Sequence, residues 1–503
     1  MPTARGLGLP GSSATAQPYR ADAAARATGD RSQAGRPSFR WADVATYADV
    51  DTSTRLAIDW TRVATVVPDA AIGAVLVSWA TWLTWGTGGR EPYRLSIHAL
   101  VIAIAVVSVK PWRVLPTTVM ALGTGLGIAA FLVTATAPTG WAGADDAASY
   151  AIAGQTFLVV AAWARDNGRR LAVLGAVIGA AGLEFAQGWL AWWGSATPTV
   201  PFQGTFFWHN QAGIFLAAGA VASWATIAYG ARPLSTLAWV AGPLAGAGVL
   251  FSTSRGSQMG LGLSAAVLAG AGLLGNDKVR RLVRLGGVLL ATAAVSVVLT
   301  GPPFFAHRTS PTAATAVRAA HEDLSGNGHQ RLEDWRRAWE VFKHWPLTGA
   351  GFHSYSSASG LVTDNRDHVH TAFAHNGFLQ SLSDGGLVLS LPFWGACVLL
   401  AVVAARRLPS AARRRDATQV GGAVLLLLLL GHSGMDFDWS YPALLSLAAV
   451  VAVLAVGVVR PRAGVTSCRT GTIWCTVLLL GLLVSAVGAW HGGLSLNVAV
   501  DAL

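Results

Sequence analysis

The sequence predicts an all-α protein that crosses a membrane many times, and three observations carry the prediction. Of 503 residues, 53% are hydrophobic and only 12% are charged, about half the charge of an ordinary soluble domain. Apolar runs of about 18 residues or more recur along the chain, long enough to span a bilayer as helices. Basic residues collect in the short segments between those runs. No single soluble core can absorb so much apolar sequence.

Residues 1–64 come first. They are rich in Ala, Arg, Ser and Pro and lack an early apolar core, which predicts a flexible cytoplasmic tail and no cleaved leader. About 13 spans follow, at 65–86, 95–109, 114–135, 149–163, 171–193, 211–230, 235–252, 256–275, 284–301, 377–404, 418–432, 440–459 and 471–490. The second, fourth and eleventh are short, and are expected to tilt, re-enter or share a neighbour's length. The spans fall into two bundle segments, 65–301 and 377–490. A large polar loop at 302–376 separates them, and a short tail at 491–503 ends the chain.

Orientation follows from charge. The net charge is +11, and Arg carries it: Lys occurs only at Lys110, Lys278 and Lys343. The N-terminal tail is Arg-rich. So are Lys110/Arg113, Arg165/Arg169/Arg170, Arg232, Lys278/Arg280/Arg281/Arg284, Arg406/Arg407 with Arg413–Arg415, and Arg460/Arg462/Arg469. Counting spans puts all of these on one side, which the positive-inside rule makes cytoplasmic. The large loop, Arg255, Asp436 and the C-terminus then face outward from a plasma (inner) membrane. The basic balance needs no nucleic-acid partner, since no groove-reading motif is present. Three cysteines, two of them within apolar runs, do not make a disulfide framework.

The loop is the polar exception in an apolar chain. Residues 329–343 predict an amphipathic helix, with Leu332, Trp335, Trp339 and Phe342 near one face. Such a helix either lies in the membrane interface or caps the bundle. Pro346 stops it, and Gly349-Ala350-Gly351 permits close backbone approach. The loop ends at His368, His370 and His375-Asn376-Gly377.

Three residues stand out for chemistry. Arg255, in Ser254-Arg255-Gly256, joins two spans with almost no loop, so it sits at or just below the outer membrane face. A charge at that depth either is functional or snorkels to anchor the span end. A guanidinium donates two parallel hydrogen bonds, which suits a phosphate. Arg331 begins the amphipathic helix, and is either a solvated charge or the second half of an anion clamp. His375 opens a long apolar helix, where the helix dipole opposes a positive imidazole. It is either a general base or an interfacial His with a structural hydrogen bond.

Other polar groups offer alternatives. His368, His370 and His375, with Asp364 and Asp367, fit no standard zinc signature. Asp384 lies about 13 Å deeper than His375 if the helix is regular, but Gly385-Gly386 beside it suggests a break. Glu184 is a second carboxylate within a span. Intramembrane carboxylates mark ion pathways, so a polysaccharide or lipid-linked oligosaccharide transporter or flippase is the alternative. Asp436 and Asp438 flank the outer end of a span, either solvated or positioning an Arg.

Over roughly residues 170 to 460 the chain resembles the O-antigen ligase and Wzy-type polysaccharide polymerase superfamily. Gly204-Thr205-Phe206 with His209-Asn210-Gln211-Ala212-Gly213 is similar to its Gly-Thr-Phe…Asn stretch. Ser254-Arg255-Gly256 is similar to its Ser-Arg-Gly span start. Arg331…Trp335…Ala338…Pro346…Gly349-Ala350-Gly351 follows its Arg, Trp and Ala run before a Pro and Gly-x-Gly turn. His375-Asn376…Leu379…Gly385-Gly386-Leu387 and His432-Ser433…Asp436-Phe437…Pro442 complete the order. His209 departs from the usual small or polar residue, and Asp384 stands where Glu is commoner.

The resemblance implies a GT-C-like fold and an inverting glycan transfer that needs no metal and no cofactor. The donor would be an undecaprenyl-pyrophosphate-linked glycan in the outer leaflet. The acceptor would be a hydroxyl of a glycan, lipid or protein. By matching motif, Arg255 and Arg331 would bind the pyrophosphate and His375 would be the base. Asn210, Asn376, Asp384 and Asp436 would support them.

Overall fold

The computed structural model describes residues 60–194, 201–299, 324–363, 371–457 and 468–501. The described residues are 84% helical, and no strand occurs among them. The helices are α1 (Trp60–Val77), α2 (Pro92–Val109), α3 (Thr117–Thr136), α4 (Ala144–Trp163), α5 (Asn167–Gly194), α6 (His209–Tyr229), α7 (Ser235–Phe251), α8 (Arg255–Gly272) and α9 (Lys278–Leu299). They continue as α10 (Leu324–His344), α11 (Tyr355–Val362), α12 (Gly377–Arg414), α13 (Ala417–Ser433), α14 (Pro442–Val456) and α15 (Cys468–Asp501). Every expected span has its helix. Among the described residues, nine helices are long and apolar enough to cross a membrane; α13 and α14 are shorter apolar helices. This is an all-α polytopic membrane protein.

Two buried helices organise the bundle. The α6 sequence is rich in Ala and Gly, so neighbouring backbones can approach closely. It is buried along its whole length and packs against α5, α7, α8, α9 and α13. The second axis is α4, against α2, α3, α14 and α15. At its contact with α3, a Cβ on Gly154 would lie 2.1 Å from the Gly123 carbonyl oxygen, so no other residue fits. The outer helices present large apolar side chains outward, including Leu263, Leu290, Val297, Val398 and Leu483. A soluble monomer would not leave so much apolar surface bare; lipid covers it.

The basic segments gather at one end. Arg170 Nη1 meets Asp416 Oδ2 at 3.1 Å, Arg415 pairs with Asp277, and Arg169 Nη2 meets Asp69 Oδ1 at 2.9 Å. Asp416 caps the N-terminus of α13. His432 sits at its other end, about 25 Å away.

The loop differs from expectation in one respect. Helix α10 forms and stops before Pro346, but its buried stripe is Asp334, Ala338 and Val341. Leu332 and Trp339, expected on the apolar face, are exposed. The inner stripe packs on α11 and α12: Ala338 lies among Tyr355 and Ala374, and Val341 among Ala350 and Ala358. At the C-terminus, α15 continues to Asp501.

The break in α12 is real. Gly386 adopts φ 53°, ψ −154°, a backbone that other residues avoid. The turn after α10 fills the gap. Ala350 N donates to Ser383 O (2.8 Å) and Gly351 N to Asp384 O (3.0 Å), while Leu387 N and Val388 N donate to Pro346 O and Leu347 O (2.9 and 3.0 Å). Backbone groups freed inside a membrane helix must find partners within the protein. The Pro346–Gly351 turn supplies them.

Candidate active site

A cleft of about 440 Å³ opens at the end of the bundle away from the basic loops. Arg255, Arg331 and His375 all line it, with Trp208, His209, Asn210, Gln330, Asp334, His432, Met435 and Asp436. Residues more than a hundred positions apart in sequence thus share one cavity, and each is placed by a local device.

Arg255 is the first residue of α8. Ser254 caps that helix, its side chain accepting from Ser257 N at 3.3 Å. Thr253 precedes it at φ +55°, which turns the chain sharply between α7 and α8. The side chain of Arg255 is exposed to the cleft. Arg331 comes from α10 and donates to the carbonyl of Met435, which ties the loop helix to the α13–α14 connection.

His375 immediately precedes the cap of α12. Asn376 Oδ1 accepts from Phe378 N and Leu379 N, both at 3.0 Å. Its Nδ2 donates to Gly434 O at 2.9 Å. His375 itself has φ +48°, a strained backbone for a non-glycine residue, and such strain persists only where neighbours over-determine it. They do: Trp335 Nε1 donates to His375 O at 3.3 Å, and the Phe437 ring stands edge-on to the imidazole at 5.2 Å.

Asp436 is the hub. Its Oδ2 accepts from Asn210 Nδ2 at 2.6 Å, and its Oδ1 accepts from Phe437 N at 2.9 Å. His375 Nδ1 lies 3.5 Å from the same Oδ1. Burial alone would raise this carboxyl; His375 and His432 overcome it and hold the group below the usual carboxylate range. Across the cleft, burial raises Asp334, whose Oδ1 accepts from Gln330 Nε2 (3.2 Å) and Thr371 Oγ1 (2.9 Å).

The expected residues divide into two groups. Arg255, Arg331, His375, Asn210 and Asp436 meet in the cleft. Asn376 is the cap that sets His375. Asp384 is not among the lining residues; it sits at the α12 break, where both carboxylate oxygens accept from Gln380 Nε2 (3.0 and 2.9 Å). Glu184 is likewise a packing residue, accepting from Thr205 N and Thr205 Oγ1, each at 2.6 Å. Gly204, at φ +59°, lets that contact form, which gives the Gly-Thr-Phe stretch a structural purpose.

Sequence reasoning did not single out Trp208, Gln330, Asp334 or His432 as site residues. The spacing of Asp334 three residues after Arg331 was the available signal, since both then share a helix face. Of the zinc alternative, His368, His370, Asp364 and Asp367 lie outside the described residues. Among the described residues, one group has metal-ligand spacing: Asp145, Asp146 and His353. None of the three lines the cleft.

The cleft can therefore do two things. Two guanidinium groups from separate elements can hold a multiply charged phosphate ester. An imidazole backed by a buried carboxylate can accept a proton from a bound hydroxyl. No curated protein sequence matches the chain. A protein-family model described as O-antigen ligase matches residues 240–394, the stretch that contains Arg255, Arg331 and His375. On this match, residues 240–394 are similar to the O-antigen ligase family.

Proposed function

We propose that the protein transfers a glycan from an undecaprenyl-pyrophosphate carrier to an acceptor hydroxyl, as a ligase or polymerase, at the outer face of the plasma membrane. One observation carries the reading: two arginines and a carboxylate-backed histidine line a single cleft at the end of the bundle. Arg255 and Arg331 grip the diphosphate. The acceptor oxygen attacks the anomeric carbon from the face opposite the leaving group, so the configuration inverts. The bond between that carbon and the diphosphate oxygen breaks, and its electron pair leaves with the diphosphate. The hydroxyl proton passes to His375.

The energetics suit this division of labour. Charge develops on a leaving group that the guanidinium groups already face, so fixed donors stabilise it without reorganising. That role needs no metal. Holding donor and acceptor together supplies much of the remaining acceleration. The basic end of the bundle then faces the cytoplasm.

The test uses purified full-length protein with a synthetic undecaprenyl-pyrophosphate oligosaccharide. Product chains or acceptor conjugates are expected by mass spectrometry, with loss in Arg255→Ala, Arg331→Ala and His375→Ala at unchanged protein levels. Full activity in all three variants refutes the assignment. Movement of the oligosaccharide across liposomes without new glycosidic bonds favours a transporter instead.

A further inference from the structure

One wall of the cleft carries a buried hydrogen-bonded chain that the proposed reaction does not use. Asp438 Oδ2 lies 2.7 Å from His432 Nδ1 and accepts from Ser433 Oγ at 3.0 Å. On the other side of the ring, His432 Nε2 lies 3.2 Å from Ser257 Oγ. Ser257 Oγ is in turn 2.9 Å from Ser254 Oγ, the cap of α8, and 3.3 Å from the Asn210 carbonyl.

The order Asp, His, Ser is that of a nucleophilic triad. Burial rules that out: Ser257 has no exposed surface, so its hydroxyl cannot reach a substrate. What the ring does touch is the first turn of α8. A Cβ on Gly256 would lie 3.2 Å from both Cδ2 and Nε2 of His432. The imidazole therefore rests on the backbone between Arg255 and Ser257. Gly213 on α6 makes room for the serines, since a Cβ there would lie 2.8 Å from the hydroxyl oxygens of both Ser252 and Ser257. The carboxylate of Asp438 fixes the proton on Nδ1 and aims Nε2 at Ser257.

We propose that His432, oriented by Asp438, is a positioning residue that sets the first turn of α8 and thereby aims Arg255 at the donor diphosphate. The inference rests on the donor-clamp reading above. It also gives a reason for Gly at 256: any side chain there would push the imidazole away.

The experiment pairs two substitutions. In His432→Gln, the amide reaches the place of Nε2 and can still meet Ser257. In His432→Asn, it reaches only the place of Nδ1 and meets Asp438 alone. Two quantities are read on full-length protein in detergent: amide exchange across residues 252–259, and KM for an undecaprenyl-pyrophosphate oligosaccharide against kcat. His432→Asn is expected to speed exchange in this segment and to raise KM about tenfold, with a smaller change in kcat. His432→Gln is expected to restore both. Unchanged exchange in His432→Asn overturns the proposal. So does equal damage in both variants with a general fall in thermal stability, which marks bulk packing. Arg255→Ala serves as the control: if its kcat/KM for the donor is normal, the donor-clamp reading fails, while the exchange result still judges His432.

Discussion

Asp436 joins the two sides of the cleft: it takes a 2.6 Å hydrogen bond from Asn210 on α6 and stands 3.5 Å from His375 at the start of α12. The second distance is longer than a formed hydrogen bond, as is common for catalytic groups before substrate arrives. Asp436→Asn keeps the shape but removes the charge that orients and stabilises the imidazolium. In the proposed reaction, His375→Ala is expected to lower kcat by about 10²–10⁴-fold. Asp436→Asn is expected to give a substantial part of that loss. KM for the donor should change little in either. A normal kcat in Asp436→Asn shows that the pair is structural.

Arg255 and Arg331 reach the cleft from different elements, and this predicts how lysine behaves. Lys keeps the charge but lacks the planar fork that meets a phosphate with two parallel bonds. Removing either guanidinium is expected to cost about 10²–10³-fold in transfer. Arg255→Lys and Arg331→Lys should recover only part. Arg331→Lys should recover least, because Arg331 also holds the Met435 carbonyl. Steady-state rates for the four single variants decide this. Complete rescue by lysine would show that charge alone matters.

The seam between the loop and the α12 break makes a prediction about folding. At Gly349, φ is +64° and a Cβ would lie 2.4 Å from the Asp384 carbonyl carbon. At Gly386, a Cβ would lie 2.5 Å from Gly349 N. Both obstacles are backbone, so neither can swing aside. Gly349→Ala and Gly386→Ala are each expected to destabilise the protein by roughly 2–4 kcal/mol. Gly395→Ala, with open space around it, should be neutral. Thermal melts and expression levels measure the contrast. Equal stability of all three would remove the seam from the account.

Much of this architecture was legible in the sequence because membranes demand a simple code. Among the described residues a helix stands at each expected span, nine of them long and apolar enough to cross a membrane, and Gly385-Gly386 marked the break in α12. The family-like motifs brought Arg255, Arg331 and His375 into one list, and the fold brings them into one cavity. Two things escaped. The inner face of α10 went unseen because Asp334 and Ala338 look solvent-facing until Tyr355 and Ala374 are packed on them. His432 stands in one of the family-like motifs, but without a role. Its significance lies in contacts with Ser257 and Asp438, which no periodicity reports. Long-range partnership between buried polar groups is a property of packing, and a single sequence holds it only implicitly.

His353 supplies a prediction about pH. It lies between α10 and α11, at φ +59°, with Nε2 3.0 Å from Asp145 Oδ1 and 3.6 Å from Asp146 Oδ2. Asp146 above all, then Asp145, raises its pKa to about 9 against the opposing effects of burial and of Arg90. The cluster fastens the loop to the start of α4, beside the Tyr150–Phe352 ring contact at 5.8 Å. A histidine whose folded pKa exceeds its unfolded value stabilises the fold fully below the unfolded value, about 6.5, and loses that stabilisation as pH rises through the folded one. Wild-type protein should therefore lose thermal stability between about pH 6.5 and about pH 9.5. His353→Gln should be less stable at the low end, and its curve should converge with wild type at the high end. Melting temperatures of both proteins across that window give the difference directly. A difference that stays constant with pH would mean that the imidazole contributes packing alone, with no charge held between the two carboxylates.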